Sequence, residues 1–271
     1  MGVAHMHPKL ARGFNRLVTR KTCPEMMDSE FGVLLLEAGD VWEHLATEEM
    51  VVVLNQGKAV FRWNDQERTC NRESCFHCEP YVLHVSCGTR IFLLALADGT
   101  EVTVSSAFNE ACFPPEFYGP GDLLCASVVD EEKLEGKVKR IKRVFFDRTT
   151  SPLSNLFCGE LVNYPGCWAC FPPHLHTEPE IYYYKFLPSC GYGFSEYGDD
   201  AFRVQEHDVM CIPDGLRHAQ ATAPGYAGFI QWTQRLQDTG KNIEFHLDPT
   251  HAWLDVPDAI LFPERREGAP L

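Results

Sequence analysis

Short apolar or alternating runs, broken by Gly, Pro, Asp and Asn, recur along almost the whole chain, and no long amphipathic helical stretch competes with them. Alternation sends successive side chains to opposite faces of an extended strand, whereas a helix repeats every 3.6 residues or so, so the pattern predicts an all-β protein. Residues 50–54, then Asn55-Gln56-Gly57, then residues 58–63 read as strand, tight turn and strand, with Gly57 available for a positive φ. Residues 91–97 and 101–105 read as a second hairpin around Asp98-Gly99-Thr100. The Pro- and Gly-rich passage 113–121 and the charged stretch 130–143 read as a connector. Beyond it, strands are predicted at 144–146, 155–163, 180–187, 202–204, 209–213 and 229–233. The expected organisation is one β unit over residues 1–125 and a second over 126–271.

Composition narrows the partners more than the fold. With 271 residues, 45% of them hydrophobic, the chain can bury two cores. A net charge of -14 with no Lys/Arg block argues against nucleic acid and anionic membranes as partners. Residues 1–30 contain no apolar core of the length that a secretory signal needs, and no apolar run is long enough to span a membrane. A cytoplasmic location follows as an expectation, and with it the reading of all 12 cysteines as thiols.

The candidate chemistry lies in Pro172-Pro173-His174-Leu175-His176-Thr177-Glu178-Pro179-Glu180. Two histidines one residue apart share a strand face, and a short turn can bring Glu180 round to meet them. Downstream, Pro213-Asp214-Gly215-Leu216-Arg217-His218 offers a turn that delivers His218 to the start of another strand. Three imidazoles and a carboxylate suit one divalent metal ion: zinc is the first expectation, and manganese, iron and nickel also fit. No Gly-rich dinucleotide fingerprint follows a strand, so no organic cofactor is expected.

These two segments resemble the paired motifs of the cupins, His-x-His followed by Glu and then Pro-x-Gly followed by His. The resemblance implies jelly-roll barrels, also called double-stranded β-helices, with the metal in the barrel mouth. His207 and Thr222 stand where that family's second motif usually has Gly and Asn. A closer resemblance covers most of the chain. Residues 156–160, Asn163-Tyr164-Pro165-Gly166, Glu180-Ile181-Tyr182-Tyr183, Tyr197 with Asp199-Asp200, Ala223-Pro224-Gly225-Tyr226 and residues 248–253 look like successive blocks of the 5-deoxy-glucuronate isomerases of inositol catabolism. Those are bicupins, similar in turn to the 4-deoxy-5-hexosulose-uronate isomerases of pectin breakdown. The resemblance implies a small sugar-acid substrate, here 5-deoxy-glucuronate converted to 5-dehydro-2-deoxy-gluconate, and is compatible with a homo-oligomer. Leu175, Thr177, Leu216 and Arg217 depart from the family's usual residues beside the ligands, which bears on the exact substrate more than on the reaction.

Moving a carbonyl by one carbon needs a Lewis acid on adjacent oxygens and a base for the intervening proton. Glu180 is a candidate base, with Glu178 and Tyr184 as alternatives on spacing. Tyr182 shares the parity of Glu180 and could face the substrate; Phe186, with the same parity, reads as core. Arg217 or Lys185 could hold the substrate carboxylate, although the opposite parity of Lys185 favours a solvated surface charge. Two other functions fit the same ligands: an iron-dependent cupin dioxygenase, and a sugar-acid-binding bicupin without turnover.

The remaining signals are weaker. Cys75-Phe76-His77-Cys78 and Cys167-Trp168-Ala169-Cys170 are too far apart for a zinc ribbon and precede no helix, so neither is expected to be a redox pair; Cys170 is expected as a packing thiol near the metal. His44, His77 and His84 lack ligand spacing, so the first barrel is expected to hold no metal and to serve in packing or subunit contact. The block 248–253 is expected to cap a barrel edge rather than to send His251 into the site.

Overall fold

The computed structural model describes residues 4–213, 215–237, 243–257 and 259–265. Strands dominate. Among the described residues the helical turns are short, at Pro24–Met26, Lys133–Gly136 and Ala252–Asp255, and no helix is long and apolar enough to cross a membrane. The all-β expectation holds.

Residues 13–118 build one antiparallel sheet of nine strands that closes over a core including Leu34, Val52, Leu54, Phe61, Leu93 and Val102. Its spine is Glu49–Trp63, a single strand of 15 residues. The turn expected at Asn55-Gln56-Gly57 does not form. The chain bulges between Leu54 and Gln56 and runs on: its first half pairs with Tyr81–Val85 and Thr100–Ala107, its second with Gln66–Arg72 and Arg90–Ala95. Gly57 does take a φ of +96°, but a Cβ there would come within 2.7 Å of Thr100 Cα. The glycine therefore serves a bend and a close strand approach, not a reversal. The second expected hairpin fails for the same reason, because Arg90–Ala95 and Thr100–Ala107 pair with opposite halves of the long strand instead of with each other.

The later strands form two sheets. Seven strands run in the order Ala4–Met6, Val209–Ile212, Glu180–Leu187, Ala227–Arg235, Leu156–Asn163, Arg140–Phe146 and Cys125–Val129. Five more run Asp200–Gln205, Tyr192–Tyr197, His218–Thr222, Trp168–Leu175 and His246–Leu247. The two sheets enclose a core that includes Tyr182, Tyr184, Phe186, Met210 and Trp232 from one and Ala169, Tyr197 and Val204 from the other. The stretch 130–143 is more than the expected connector: Cys125–Val129 and Arg140–Phe146 pair directly, so its end is barrel wall.

The seven-stranded sheet also packs against the nine-stranded one. Ile181, Tyr183, Val209 and Cys211 meet Val18, Phe31 and Val33, while Phe145, Phe146 and Leu156 meet Val51, Val53 and Val82. Glu180–Leu187 is consequently buried on both faces, as its near-continuous apolar sequence requires. Polar groups on these faces are paired across the gap: Thr103 donates to Gln231 at 2.9 Å, and the buried Glu160 holds Arg143 together with Arg72 of the nine-stranded sheet.

Candidate metal centre

The strand Trp168–Leu175 pairs regularly with His218–Thr222 at Trp168 and Ala169, then loses register until His174 faces His218. Pro172 and Pro173 occupy the irregular stretch, and neither can donate to a ladder. His176 follows on the same face, and the turn 177–179 brings Glu180 to the head of the next strand, opposite Gln234. Asp214, in the turn expected before His218, lies outside the described residues.

The four side chains converge. Ring centroids of His174 and His176 lie 4.9 and 4.8 Å from that of His218, and the three histidines present nitrogens within 4.8 Å of one another. Glu180 Oε2 lies 3.2 Å from His176 Nε2 and 3.4 Å from His218 Nε2, and accepts a 2.7 Å hydrogen bond from the Tyr182 hydroxyl. The Nδ1–H of His176 donates to the Glu178 carbonyl at 2.8 Å, and that of His218 to the Leu216 carbonyl at 3.0 Å. Those bonds assign Nδ1 of both rings as a donor and leave both Nε2 atoms facing one carboxylate, with the Gln234 side-chain amide also 3.0 Å from His176 Nε2. His218 Nε2 is buried with no hydrogen-bond partner. A divalent metal would satisfy these nitrogens and the carboxylate together, and the donor set suits one.

Charge states follow from the same contacts. Burial opposes ionisation of Glu180, but the facing His176 and His218 outweigh it and hold the carboxyl well below its usual range. Burial pushes His174 down to about 3, with His218 adding to the effect, so its ring is a neutral donor. Burial opposes charging of His176 too, yet Glu180 raises it. The Tyr182 hydroxyl, buried beside Cys170 and Glu180, is held far above its ordinary range and keeps its proton.

A cavity of about 340 Å³ opens onto this cluster, lined by His174, Glu180, Tyr182 and Gln234, by the apolar Phe157, Leu161, Trp232, Phe245 and Leu247, and by Lys133, Arg140 and Lys142. Of the candidate base and substrate-binding residues beyond Glu180, Tyr182 reaches it and Tyr184, Glu178, Arg217 and Lys185 do not. Tyr184 lies deeper in the barrel and donates to Gln220 at 2.6 Å. Glu178 contributes its carbonyl to His176, while its side chain takes a hydrogen bond from Thr177. Arg217 points away, paired with Glu196 at 3.2 Å and with Asp199. Lys185 does face away from Glu180, but it is neither at the cavity nor in solvent: it is buried and ion-paired with Glu101 of the nine-stranded sheet.

The structure supplies what the sequence reading missed. Arg140 and Lys142 alternate with Ile141 along one strand and both face the cavity. Arg140 is held by Asp130 at 2.6 Å, its Nε is buried with no partner, and Lys142 makes no ion pair among the described residues. The signal was the alternation 140, 142, 144, which ends at the core residue Val144. Cys170 does lie beside the site as a thiol, with its Sγ 3.6 Å from the Tyr182 hydroxyl, and all 12 cysteines are free. The C-terminal segment caps the cavity: His246–Leu247 pairs with His174 and Leu175, and the Phe245 ring stands 5.3 Å from that of His174. His251 does not line the cavity.

Comparison with known proteins agrees with this architecture. The KduI/IolB family matches residues 6–254. A 5-deoxy-glucuronate isomerase from Geobacillus kaustophilus is 26% identical over 76% of this chain and 78% of its own length. One from Bacillus licheniformis is 25% identical over 87% and 90%. The crystal structure of an IolB-like protein from Salmonella typhimurium superposes with a TM-score of 0.83 at 21% identity, covering 93% of this chain and 99% of that one. An oxalate decarboxylase from Lactobacillus farciminis, at 12% identity and covering 85% and 83%, gives 0.60, which extends the likeness to the cupin fold. On a family match that spans nearly its whole length, this chain belongs to the KduI/IolB family.

Proposed function

We propose that this chain is a metal-dependent isomerase that interconverts the aldose and ketose forms of a deoxy-uronate, taking the 5-deoxy-glucuronate that its relatives' name specifies to 5-dehydro-2-deoxy-gluconate. The carrying observation is the convergence of His174, His176, Glu180 and His218, with two Nε2 atoms facing one carboxylate and that of His218 buried without a hydrogen-bond partner, on a cavity whose wall presents Arg140 and Lys142. In this reading the catalytic barrel is built by the two sheets from Cys125 onward, completed by the strand Ala4–Met6, and the nine-stranded sheet of residues 13–118 forms the second barrel, which supports it.

A divalent ion, zinc by first expectation, would be held by those four side chains and would supply the Lewis acidity that draws charge from adjacent carbonyl and hydroxyl oxygens. The protein's own residues do the rest. Arg140 and Lys142 place the substrate carboxylate at the wall lined by the Arg140–Phe146 strand, which sets the reacting end toward Glu180 and Tyr182. The carbon bearing the hydroxyl loses a proton and the aldehyde carbon gains one. Glu180, ionised and hydrogen-bonded by Tyr182, is a proton acceptor on the cavity wall, and the Tyr182 hydroxyl, which keeps its proton, is released to donate toward developing negative charge once Glu180 has taken the substrate proton. Phe157, Trp232 and Phe245 give the cavity an apolar wall beside the reacting end.

The test is to load the chelator-stripped protein with zinc, manganese, iron(II), cobalt or nickel and assay 5-deoxy-glucuronate and related uronates without oxygen. Conversion with at least one metal, lost in His176→Ala along with one equivalent of metal, is the expected result. Failure on every uronate, with oxygen consumed on another substrate, would transfer the site to dioxygenase chemistry.

A further inference from the structure

Away from the cavity, the start of the chain carries a second His-x-His, His5-Met6-His7, which ends the edge strand of the seven-stranded sheet. We propose that His5, His7 and Asp208 form a second divalent-metal site, of the zinc, cobalt or nickel class, which clamps the first strand to the barrel.

The geometry is that of a prepared donor set. Asp208 is 1% exposed, and each of its oxygens faces an imidazole nitrogen: Oδ2 lies 3.0 Å from His5 Nε2, and Oδ1 lies 2.7 Å from His7 Nδ1. The donor atoms all lie within 4.8 Å of one another, and the two rings meet edge to face at 4.2 Å. Metal bonds of about 2.0–2.2 Å require donors roughly 3–3.5 Å apart, so His7 and Asp208 need part by only a few tenths of an ångström. Asp208 is otherwise fixed: its Oδ2 accepts the Gln205 amide at 2.9 Å, and its carbonyl accepts the Tyr184 amide at 3.0 Å.

Burial and exposure divide the roles. His5 is 12% exposed and lies against Phe202, whereas His7 is 52% exposed, so one side of the cluster is open to water, which completes the coordination. Two imidazoles and one carboxylate select borderline metals over magnesium or calcium, which prefer oxygen. One of the ligands lies in the short strand Ala4–Met6, another just beyond it, and the third lies in the turn before Val209–Ile212, so binding ties two segments some 200 residues apart in sequence. A ligand that binds only the docked strand stabilises docking by mass action.

Isothermal titration of the full chelator-stripped chain with zinc chloride, backed by cobalt absorption spectra, tests this directly. The expected result is two equivalents for the wild type, one for His5→Gln/His7→Gln, one for His174→Ala/His176→Ala, and none for the four-fold variant. Zinc should still raise Tm in His174→Ala/His176→Ala and should lose that effect when His7→Gln is added; His7 is exposed enough for that change to leave the fold intact. One equivalent in the wild type, or two retained in His5→Gln/His7→Gln, would overturn the proposal.

Discussion

Each group around Glu180 has one assignment that its neighbours enforce. His176 and His218 spend Nδ1–H on backbone carbonyls, so only Nε2 is left for a metal, and Tyr182 spends its proton on Glu180 Oε2. Replacing Tyr182 with Phe removes a donor while keeping the ring that packs in the barrel. Its expected effect is a fall in kcat of roughly 10²–10⁴-fold, the usual range for a proton-transfer group, with metal content unchanged by elemental analysis. A loss of metal in Tyr182→Phe would instead make the hydroxyl a support for Glu180. The ligand set was legible from sequence because it is local: three of its members fall within seven residues, and the fourth is announced by a turn. Gln234 and Phe245 were not legible, because strand pairing and a returning segment bring them in from 54 and more residues away.

Strands read well by alternation and poorly at their ends. The run Arg140–Phe146 shows the failure, because its first four residues are so charged that they pass for a linker, yet 140 and 142 share a face with Val144. Lys142 is the cation on this strand without an ion-pair partner among the described residues, and Lys142→Met keeps much of its stem. If it holds the substrate carboxylate, KM rises by roughly 10–100-fold, the worth of a charged hydrogen bond of about 1.5–3 kcal/mol, and kcat changes less. An unchanged KM for an anionic substrate would clear it of that role. The long strand Glu49–Trp63 shows the complementary error, since Asn55-Gln56-Gly57 has turn chemistry but Gly57 faces Thr100 across a gap that no Cβ fits. Gly57→Ala should lower stability by about 1–3 kcal/mol, from the positive φ and the collision together, measured by denaturant unfolding.

At the scale of the molecule, the two halves are joined by a buried polar seam as well as by apolar contact. Lys185 from the seven-stranded sheet meets Glu101 from the nine-stranded sheet, where Tyr183 also donates to the same carboxylate at 3.1 Å. Sequence parity alone turned Lys185 away from Glu180; it could not show that a second sheet covers that face, because the covering strand lies some 80 residues earlier. Removing one partner strands the other charge in the interior, so Lys185→Met should destabilise the chain by about 3–5 kcal/mol, while Lys185→Met/Glu101→Leu recovers much of the loss. Neither residue lines the cavity, so the folded fraction of each variant keeps the KM of the wild type; a raised KM at unchanged stability would return Lys185 to the substrate. The same pair sets an acid limit. Burial raises Glu101, but the charge of Lys185 and the contact with His207 outweigh it and bring the carboxyl down to about 2 in the fold. An unfolded Glu titrates near about 4.3, so this contribution is fully present above that pH and is lost as pH falls from there toward about 2. Denaturation midpoints measured between those limits should drop steeply for the wild type and more shallowly for Glu101→Gln, whose side chain cannot titrate; equal slopes would mean that the seam carries no share of the acid lability.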